Sequence, residues 1–215
     1  MVINSLNVFG RKFAYQLVGL YLCEIKAMTT RDSIIVTADR LIREKGYNAF
    51  SFVDIAAVVG IKKPSVHHHF PRKTDLGIAV INDHIEKLFA LQQKLQQKSA
   101  LEKLDQFFAI YAKVKAQNQI CLVGSLSTDF NTLEPEIQQQ LKAFSDRMLE
   151  WVTGFLEQGK EEGLFRFTEP ARTKAVLLIA AMVALVPLSR LTKDGDFERA
   201  THTLKQELIQ SSDTK

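Results

Sequence analysis

A run of three histidines, His67, His68 and His69, is the part of the sequence whose residue types most directly suggest chemistry. It lies in the segment KKPSVHHHFPRKTDL at positions 62–76. An imidazole ring can ligate a metal, transfer a proton or donate a hydrogen bond to an anion. The spacing of the histidines and the residues around them decide among these three roles.

Metal ligation and catalysis both lack the spacing that they need. Successive helical residues point about 100° apart, so three adjacent rings cannot converge on one ion, whereas histidines four apart can. Asp54 and Asp75 are near in sequence, but nothing assigns them to the nucleophile or orienting acid that a catalytic histidine requires. Cys23 and Cys121 are too far apart to form a zinc motif or a disulfide framework, which suits a cytoplasmic protein. We therefore expect no catalytic residue, no metal and no cofactor.

Positive charge is concentrated in the part of the chain that contains the histidines. Residues 28–76 hold eight Lys and Arg against five Asp and Glu, whereas residues 77–215 hold 17 against 18. This asymmetry suits an anionic partner for the first part only.

The spacing of apolar residues predicts an all-α fold. Gly and Pro are few, and no stretch alternates with the period of two that a half-buried strand needs. The helices are expected at about 30–46, 52–60, 64–70, 73–98, 101–117, 120–130, 134–162, 171–191 and 196–211.

Two apolar segments raise the question of a membrane, and neither is expected to span one. The run at 13–23 is too short, and residues 1–27 are expected to be a loose extension or a mis-assigned start, with an extra amphipathic helix as the alternative. Residues 175–191 are apolar almost all round but are interrupted by Pro187, which favours a subunit interface.

Residues 52–70 are predicted to form a helix-turn-helix with its turn at Gly60. Ser51 and Asp54 have the spacing of a capping box, and Val66 and Phe70 would face inward from the second helix. The lysines, the serine and the histidines would then line its outward face. Such a face can enter a major groove and bond to phosphates and base edges.

Residues 37–76 read TADRLIREKGYNAFSFVDIAAVVGIKKPSVHHHFPRKTDL. This stretch resembles the DNA-binding domain of the TetR family. The elements that carry the resemblance are Gly46-Tyr47, Ser51-Phe52, Ile55-Ala56, Val59-Gly60-Ile61, Ser65-Val66 followed by Phe70, and Lys73 with Asp75-Leu76. Two positions depart from the family pattern: His67 replaces the usual Tyr, and Lys62 replaces a Ser or Thr, which weakens the helix N-cap.

The resemblance implies an N-terminal three-helix DNA-binding domain at residues 28–76 and a helical ligand-binding and dimerisation domain at 77–215. The residues expected at DNA, mostly on phosphates, are Ser51, Lys63, Ser65, His67, His69 and Lys73, and the outward face adds Lys62 and His68. The last two helices would form a homodimer, which would place two recognition helices about 34–36 Å apart on a palindromic operator.

Aromatic and sulfur-containing residues at helical spacing are candidates for a pocket that binds a small-molecule effector. They are Phe107, Tyr111, Cys121, Phe130, Met148 and Trp151. Plain core packing is the alternative for each of them, and for Cys121 the alternative to a sensor thiol is a small buried apolar residue. Asp129 and Arg147 are either groups that orient a ligand or surface charges.

These observations favour a transcription regulator of the TetR type, a repressor that a small molecule releases from DNA. A small-molecule carrier without DNA function is the main alternative, and it predicts no salt-dependent DNA affinity. An enzyme using the histidines or Cys121 is the third class, and no constellation of residues supports it.

Overall fold

The protein is all-helical throughout the part described by a computed structural model, residues 28–209. Its helices are α1 Thr30–Lys45, α2 Phe52–Val59, α3 Lys63–His69, α4 Lys73–Lys94, α5 Ala100–Ala116, α6 Leu122–Thr128, α7 Pro135–Glu161, α8 Ala171–Leu188 and α9 Asp196–Ile209. Short 3-10 turns occupy Tyr47–Ala49 and Phe130–Thr132. The predicted fold class is confirmed, while the predictions for residues 1–27 and for the chain after residue 209 lie outside the described residues.

Two helices end earlier than their apolar pattern predicts. Helix α4 stops at Lys94 rather than near residue 98, because Ser99 and Glu102 form a capping box that begins α5 and the chain must turn before it. Helix α8 stops at Leu188 rather than at 191. Pro187 supplies no backbone N–H there, and the next residues form a turn.

The helix-turn-helix folds through local signals that are visible in the sequence. Ser51 accepts a hydrogen bond from the Val53 amide, and Asp54 accepts one from the Ser51 amide at 2.7 Å, which completes the predicted capping box. Gly60 ends α2 in the left-handed region at φ 76°, where a side chain would be strained. Helix α3 begins at Lys62 without a side-chain cap, as the departure from Ser or Thr predicts.

Two buried clusters form the core, and α7 belongs to both. The first joins the helix-turn-helix and α1 to α4, α6 and the first half of α7, including Ile137 and Leu141. The second joins α5 and the second half of α7, including Val152 and Leu156, to α8 and α9. The helices of residues 28–76 therefore pack directly on α6 and α7, not only on one another.

Helix α8 carries apolar side chains on its outer side. Val176, Leu177 and Leu188 are exposed, and Leu191 just after the helix is 85% exposed. Of the helices in residues 28–209, α8 is the one that is long and apolar enough to cross a membrane by length and composition alone. A helix that packs against a protein on more than one side meets the same criterion.

The two glycines of α7 give a test of its packing. A methyl group at Gly159 would lie 2.0 Å from the Phe165 ring, which is buried, whereas one at Gly154 would meet nothing within 4 Å. We expect Gly159→Ala to lower the free energy of unfolding by about 1–3 kcal/mol through overpacking. Gly154→Ala should raise it by up to about 1 kcal/mol through helix propensity.

Urea denaturation of both variants measures this difference. A Gly159→Ala protein as stable as the unaltered chain would contradict the tight contact between α7 and Phe165.

Candidate nucleic-acid interface and ligand cavity

Helix α3 presents a polar outer face on a firmly packed inner one. Val66 is fully buried and Phe70 is 2% exposed, as their spacing predicts. The side chains of Lys62, Lys63, His67 and His68 are exposed, and those of Ser65 and His69 are partly buried. Six of the eight residues expected at DNA therefore lie along one short helix, and Ser51 and Lys73 lie at the starts of α2 and α4.

His67 is held in place by an aromatic neighbour. Its ring meets Phe52 of α2 edge-on, with centroids 4.7 Å apart, and the rings of His68 and His69 are 5.4 Å apart. Phe52 is buried and cannot move freely, so the His67 ring has a defined direction while staying exposed. Among the described residues no group of three or more His, Cys, Asp or Glu is arranged to hold a metal ion.

Lys73 points back into the protein instead of outward. Its Nζ donates a hydrogen bond to the Phe50 carbonyl at 2.5 Å and lies over the rings of Tyr47 and Phe50, at 4.7 and 4.2 Å from their centroids. Burial lowers the pKa of Lys73, partly offset by the more distant charges of Glu134 and Asp129. In this conformation the amine joins the turn before α2 to the start of α4, and a phosphate would have to compete with that carbonyl.

A cavity of about 530 Å³ lies between α1 and the helices that follow the helix-turn-helix. That volume is in the range of sites for small organic ligands. Its walls come from α1, α4, α5, α7 and the start of α6, and none of its lining residues belongs to α8 or α9.

Five of the six predicted pocket residues line this cavity. They are Phe107, Tyr111, Cys121, Met148 and Trp151. Phe130 does not line this cavity: it lies in the 3-10 turn after α6 and packs against the first core cluster, with Lys142 Nζ 5.4 Å from its ring centroid. Asp129 accepts a hydrogen bond from the Tyr47 amide at 2.9 Å, and neither Asp129 nor Arg147 lines the cavity.

The sequence analysis missed the polar part of the cavity, a set of three side chains that we call the junction cluster: Asp39 and Arg43 of α1 and His84 of α4. His84 Nε2 donates to Asp39 Oδ1 at 2.7 Å, and Arg43 Nη1 donates to Asp39 Oδ2 at 3.3 Å. Arg43 Nε also donates to the Ile120 carbonyl at 3.1 Å. All three residues line the cavity.

The junction cluster keeps Asp39 ionised. Burial raises the pKa of Asp39, but the hydrogen bond and charge of His84, together with Arg43, outweigh burial and leave that pKa below its ordinary value. One feature of the sequence could have identified Asp39 as a candidate. Asp39 lies four residues after Ile35 and three before Ile42, so a charged side chain interrupts the apolar face of α1.

Cys121 has the features of a structural thiol. It caps α6, where its Sγ accepts a hydrogen bond from the Gly124 amide at 3.3 Å. Burial raises the pKa of Cys121, and the smaller opposing effects of the Gly124 amide and the Arg43 charge do not reverse it. A raised pKa leaves little thiolate at neutral pH, which is the reactive form of cysteine.

Comparison with known proteins identifies the family to which this architecture belongs. The sequence model of bacterial regulatory proteins of the tetR family matches residues 34–80, and that of the tetracyclin repressor-like C-terminal domain matches residues 100–204. The crystal structure of a TetR transcriptional regulator from Legionella pneumophila is 35% identical, with a TM-score of 0.76, and covers 86% of this chain and 100% of that one. The chain belongs to the TetR family.

Other TetR-family proteins agree in fold and in general role. A regulator from Agrobacterium tumefaciens is 27% identical, with a TM-score of 0.78, over 84% of this chain and 98% of its own. The repressor NemR of Escherichia coli is 21% identical over 62% of this chain and 68% of its own length. The activator FasR of Mycolicibacterium smegmatis is 25% identical over 71% and 68%. This TetR-family chain is thus a DNA-binding transcription regulator and not an enzyme.

The charge of Asp39 should make the folded protein less stable as pH falls into the acidic range. Because the pKa of Asp39 is lower in the folded protein, its stabilising effect is present above its ordinary pKa of 3.8 and is lost as pH falls through the folded value. We expect Asp39→Asn to lower the free energy of unfolding by about 1–3 kcal/mol at neutral pH. The deficit should shrink below about pH 4.

Urea denaturation of both proteins across this pH range measures the effect. Asp146→Asn is the matched control, because Asp146 is exposed on α7 and should give little change at any pH. A deficit for Asp39→Asn that stayed constant on acidification would contradict the role of the Asp39 charge.

Proposed function

We propose that this regulator is a repressor that binds a palindromic operator as a homodimer and leaves it when a small molecule fills the cavity. Residues 28–76 would bind DNA, and residues 77–215 would bind the effector and form the dimer, in the cytoplasm. The single observation that carries the proposal is the junction between the two parts, where α1 and α4 line the cavity and also share a buried core cluster with α2 and α3.

The DNA contacts in this proposal are those of the outer face of α3. Lys62 and Lys63 are exposed beside the N-terminus of α3, where the helix dipole adds to their attraction for phosphate. His67 and Ser65 are next along the same helix and are suited to base edges or further phosphates. Ser51 would add a phosphate contact from the start of α2. Lys73 would act mainly by fixing the turn that holds α2 against α4.

Several similar proteins are named repressors, which favours repression over activation for this chain. NemR of Escherichia coli, DhaR of a Mycobacterium species and BepR of Brucella suis are named repressors, whereas FasR is named an activator. The proposed mechanism is a shift between two conformations. A ligand that fits the cavity better when α4 has moved would change the spacing of the two recognition helices and lower operator affinity.

DNA affinity should depend on salt and on single lysines of α3. We expect Lys63→Ala to weaken binding to the DNA upstream of the protein's own gene and to unrelated DNA by similar factors. The slope of log affinity against log salt concentration should fall in magnitude by about 1. His67→Ala should weaken binding mainly to the operator. Lys94→Ala, an exposed lysine in the last turn of α4, should leave both affinities unchanged.

Fluorescence anisotropy across a salt series measures both affinities. Equal and weak binding of the unaltered protein to every DNA would count against operator recognition.

The dimer surface is proposed to lie on the exposed apolar side of α8 together with α9. Leu177 on α8 is 56% exposed and Phe89 on α4 is 58% exposed, so the two form a matched pair of exposed apolar residues on different surfaces. We expect Leu177→Glu to convert the dimer to monomer, because a carboxylate would be buried in the interface without a partner. Phe89→Glu should remain dimeric.

Sedimentation velocity of the two variants beside the unaltered chain provides the measurement. A Leu177→Glu protein that stayed dimeric would place the interface elsewhere.

A further inference from the structure

Several hydrogen-bond donors in the cavity wall have no acceptor among residues 28–209. Both carboxylate oxygens of Asp39 are occupied, Oδ1 by His84 and Oδ2 by Arg43. Arg43 uses Nε and Nη1, and its Nη2 has no partner among residues 28–209. The Tyr111 hydroxyl, also in the cavity wall, has no hydrogen-bond partner in the same part of the chain. The cavity therefore has spare donors, while its one carboxylate is already satisfied.

The charged side chains of the cavity wall also favour a ligand that accepts hydrogen bonds. Apart from Asp39, the charged residues of the lining are Arg43, Lys87 and Lys113, with His84 able to add a further positive charge. Lys87 is paired with Asp83 at 2.5 Å, and Lys113 makes no ion pair within residues 28–209. Asp39 offsets the charge of Arg43 and Asp83 offsets that of Lys87, which leaves the Lys113 charge uncompensated within residues 28–209, so the wall attracts a negative group.

The remainder of the wall is apolar and aromatic. Phe107 and Phe144 are buried, and Met148 and Trp151 are partly buried on α7. The rings of Phe107 and Tyr111 meet edge-on with centroids 5.2 Å apart. A ligand with a flat or flexible hydrocarbon part would bind such a wall most favourably, because transfer of apolar surface from water is favourable.

We propose that the effector is an amphipathic anion, with an apolar body held among the rings of α5 and α7 and a carboxylate-like group bound by Arg43. The proposal rests on the proposed function of the cavity as the effector site. A carboxylate is the matching group because guanidinium binds it through two parallel hydrogen bonds. Tyr111 is a second donor for the same group.

The position of Arg43 explains how such a ligand would be sensed. An acid bound at Arg43 competes with Asp39 for the same guanidinium and so alters the charge that Asp39 presents to His84. Arg43 and Asp39 both lie on α1, and the bond from Asp39 to His84 joins α1 to α4. The ligand charge would therefore act, through Asp39, on the contact between α1 and α4.

Three probes that share a phenylalkyl body and differ in charge test the ligand class. They are 4-phenylbutanoate, its neutral amide 4-phenylbutanamide, and a cation, 4-phenylbutyl-trimethylammonium. Trp151 is the single tryptophan of the chain and lines the cavity, so its fluorescence reports occupancy directly, with calorimetry as the second readout. We expect the acid to bind at least about tenfold more tightly than the amide or the cation.

Variants then assign the preference to Arg43. In Arg43→Gln the acid should bind no more than about threefold more tightly than the amide. Arg43→Lys, which keeps the charge, should retain part of the preference. Arg40→Gln is the matched control: Arg40 lies on the same helix, pairs with Glu44 at 3.2 Å and does not line the cavity, so it should retain the full preference.

The outcomes separate this inference from the proposed function. Equal binding of acid and amide, tighter binding of the cation, no binding of any probe, or a preference that survives in Arg43→Gln would overturn the ligand class. The three-probe comparison uses the unaltered chain, so it does not depend on how a variant folds. Acid-selective binding that left operator affinity unchanged would support the ligand class and would instead overturn ligand-induced release from DNA.

Discussion

The last turn of α1 is anchored by the segment 120–129, and the coupling between the two halves of the molecule depends on that anchor. The final carbonyls of a helix have no partner within the helix. In α1, the Arg43 carbonyl accepts from the Ile120 amide at 2.9 Å, and the Ile42 carbonyl accepts from Ser125 Oγ at 2.6 Å. Just beyond, the Tyr47 amide donates to Asp129. The end of α1 is thus completed by groups from the C-terminal domain.

The same segment forms part of the cavity wall, which gives the anchor a consequence for function. Cys121 at the start of α6 lines the cavity, one residue after the anchoring amide of Ile120. Buried backbone groups that lose their hydrogen bonds are costly, so α6 and α1 are expected to move together instead of separating. A ligand that displaces α6 would therefore shift α1 as a body, and with α1 the packing of α2 and α3.

Sequence reasoning succeeded where the determinants are local. The capping box at Ser51 and Asp54, the left-handed Gly60 and the inward Val66 and Phe70 all depend on residues within a few positions of one another. Part of the apolar wall of the cavity could be predicted because helical spacing places Phe107 and Tyr111 on one face. Phe130 lies outside the cavity because a 3-10 turn, not a continued helix, carries it away.

The junction cluster was beyond local reasoning. Asp39 and His84 are 45 positions apart, and only the packing of α4 on α1 brings them to 2.7 Å. Lys73 shows the same limit, because its turn toward the Phe50 carbonyl depends on a tertiary contact with the rings of Tyr47 and Phe50. A charged residue in the apolar face of an amphipathic helix, such as Asp39, predicts that a tertiary contact exists at that position. It does not identify the residue that makes the contact.

A charged cluster in a partly buried junction contributes little to stability by itself. Removing charges from water costs free energy, and apolar replacements of buried ion pairs are often as stable. Its physical advantage is different: an apolar contact accepts any neighbour of the right shape, whereas Asp39 is satisfied only while His84 and Arg43 remain in reach. The contact therefore has two distinct states, made or broken, and an occupant of the cavity can alter it only through the same donors. In the proposed mechanism, that property would let a small ligand at one wall of the cavity alter the position of a recognition helix that it does not touch.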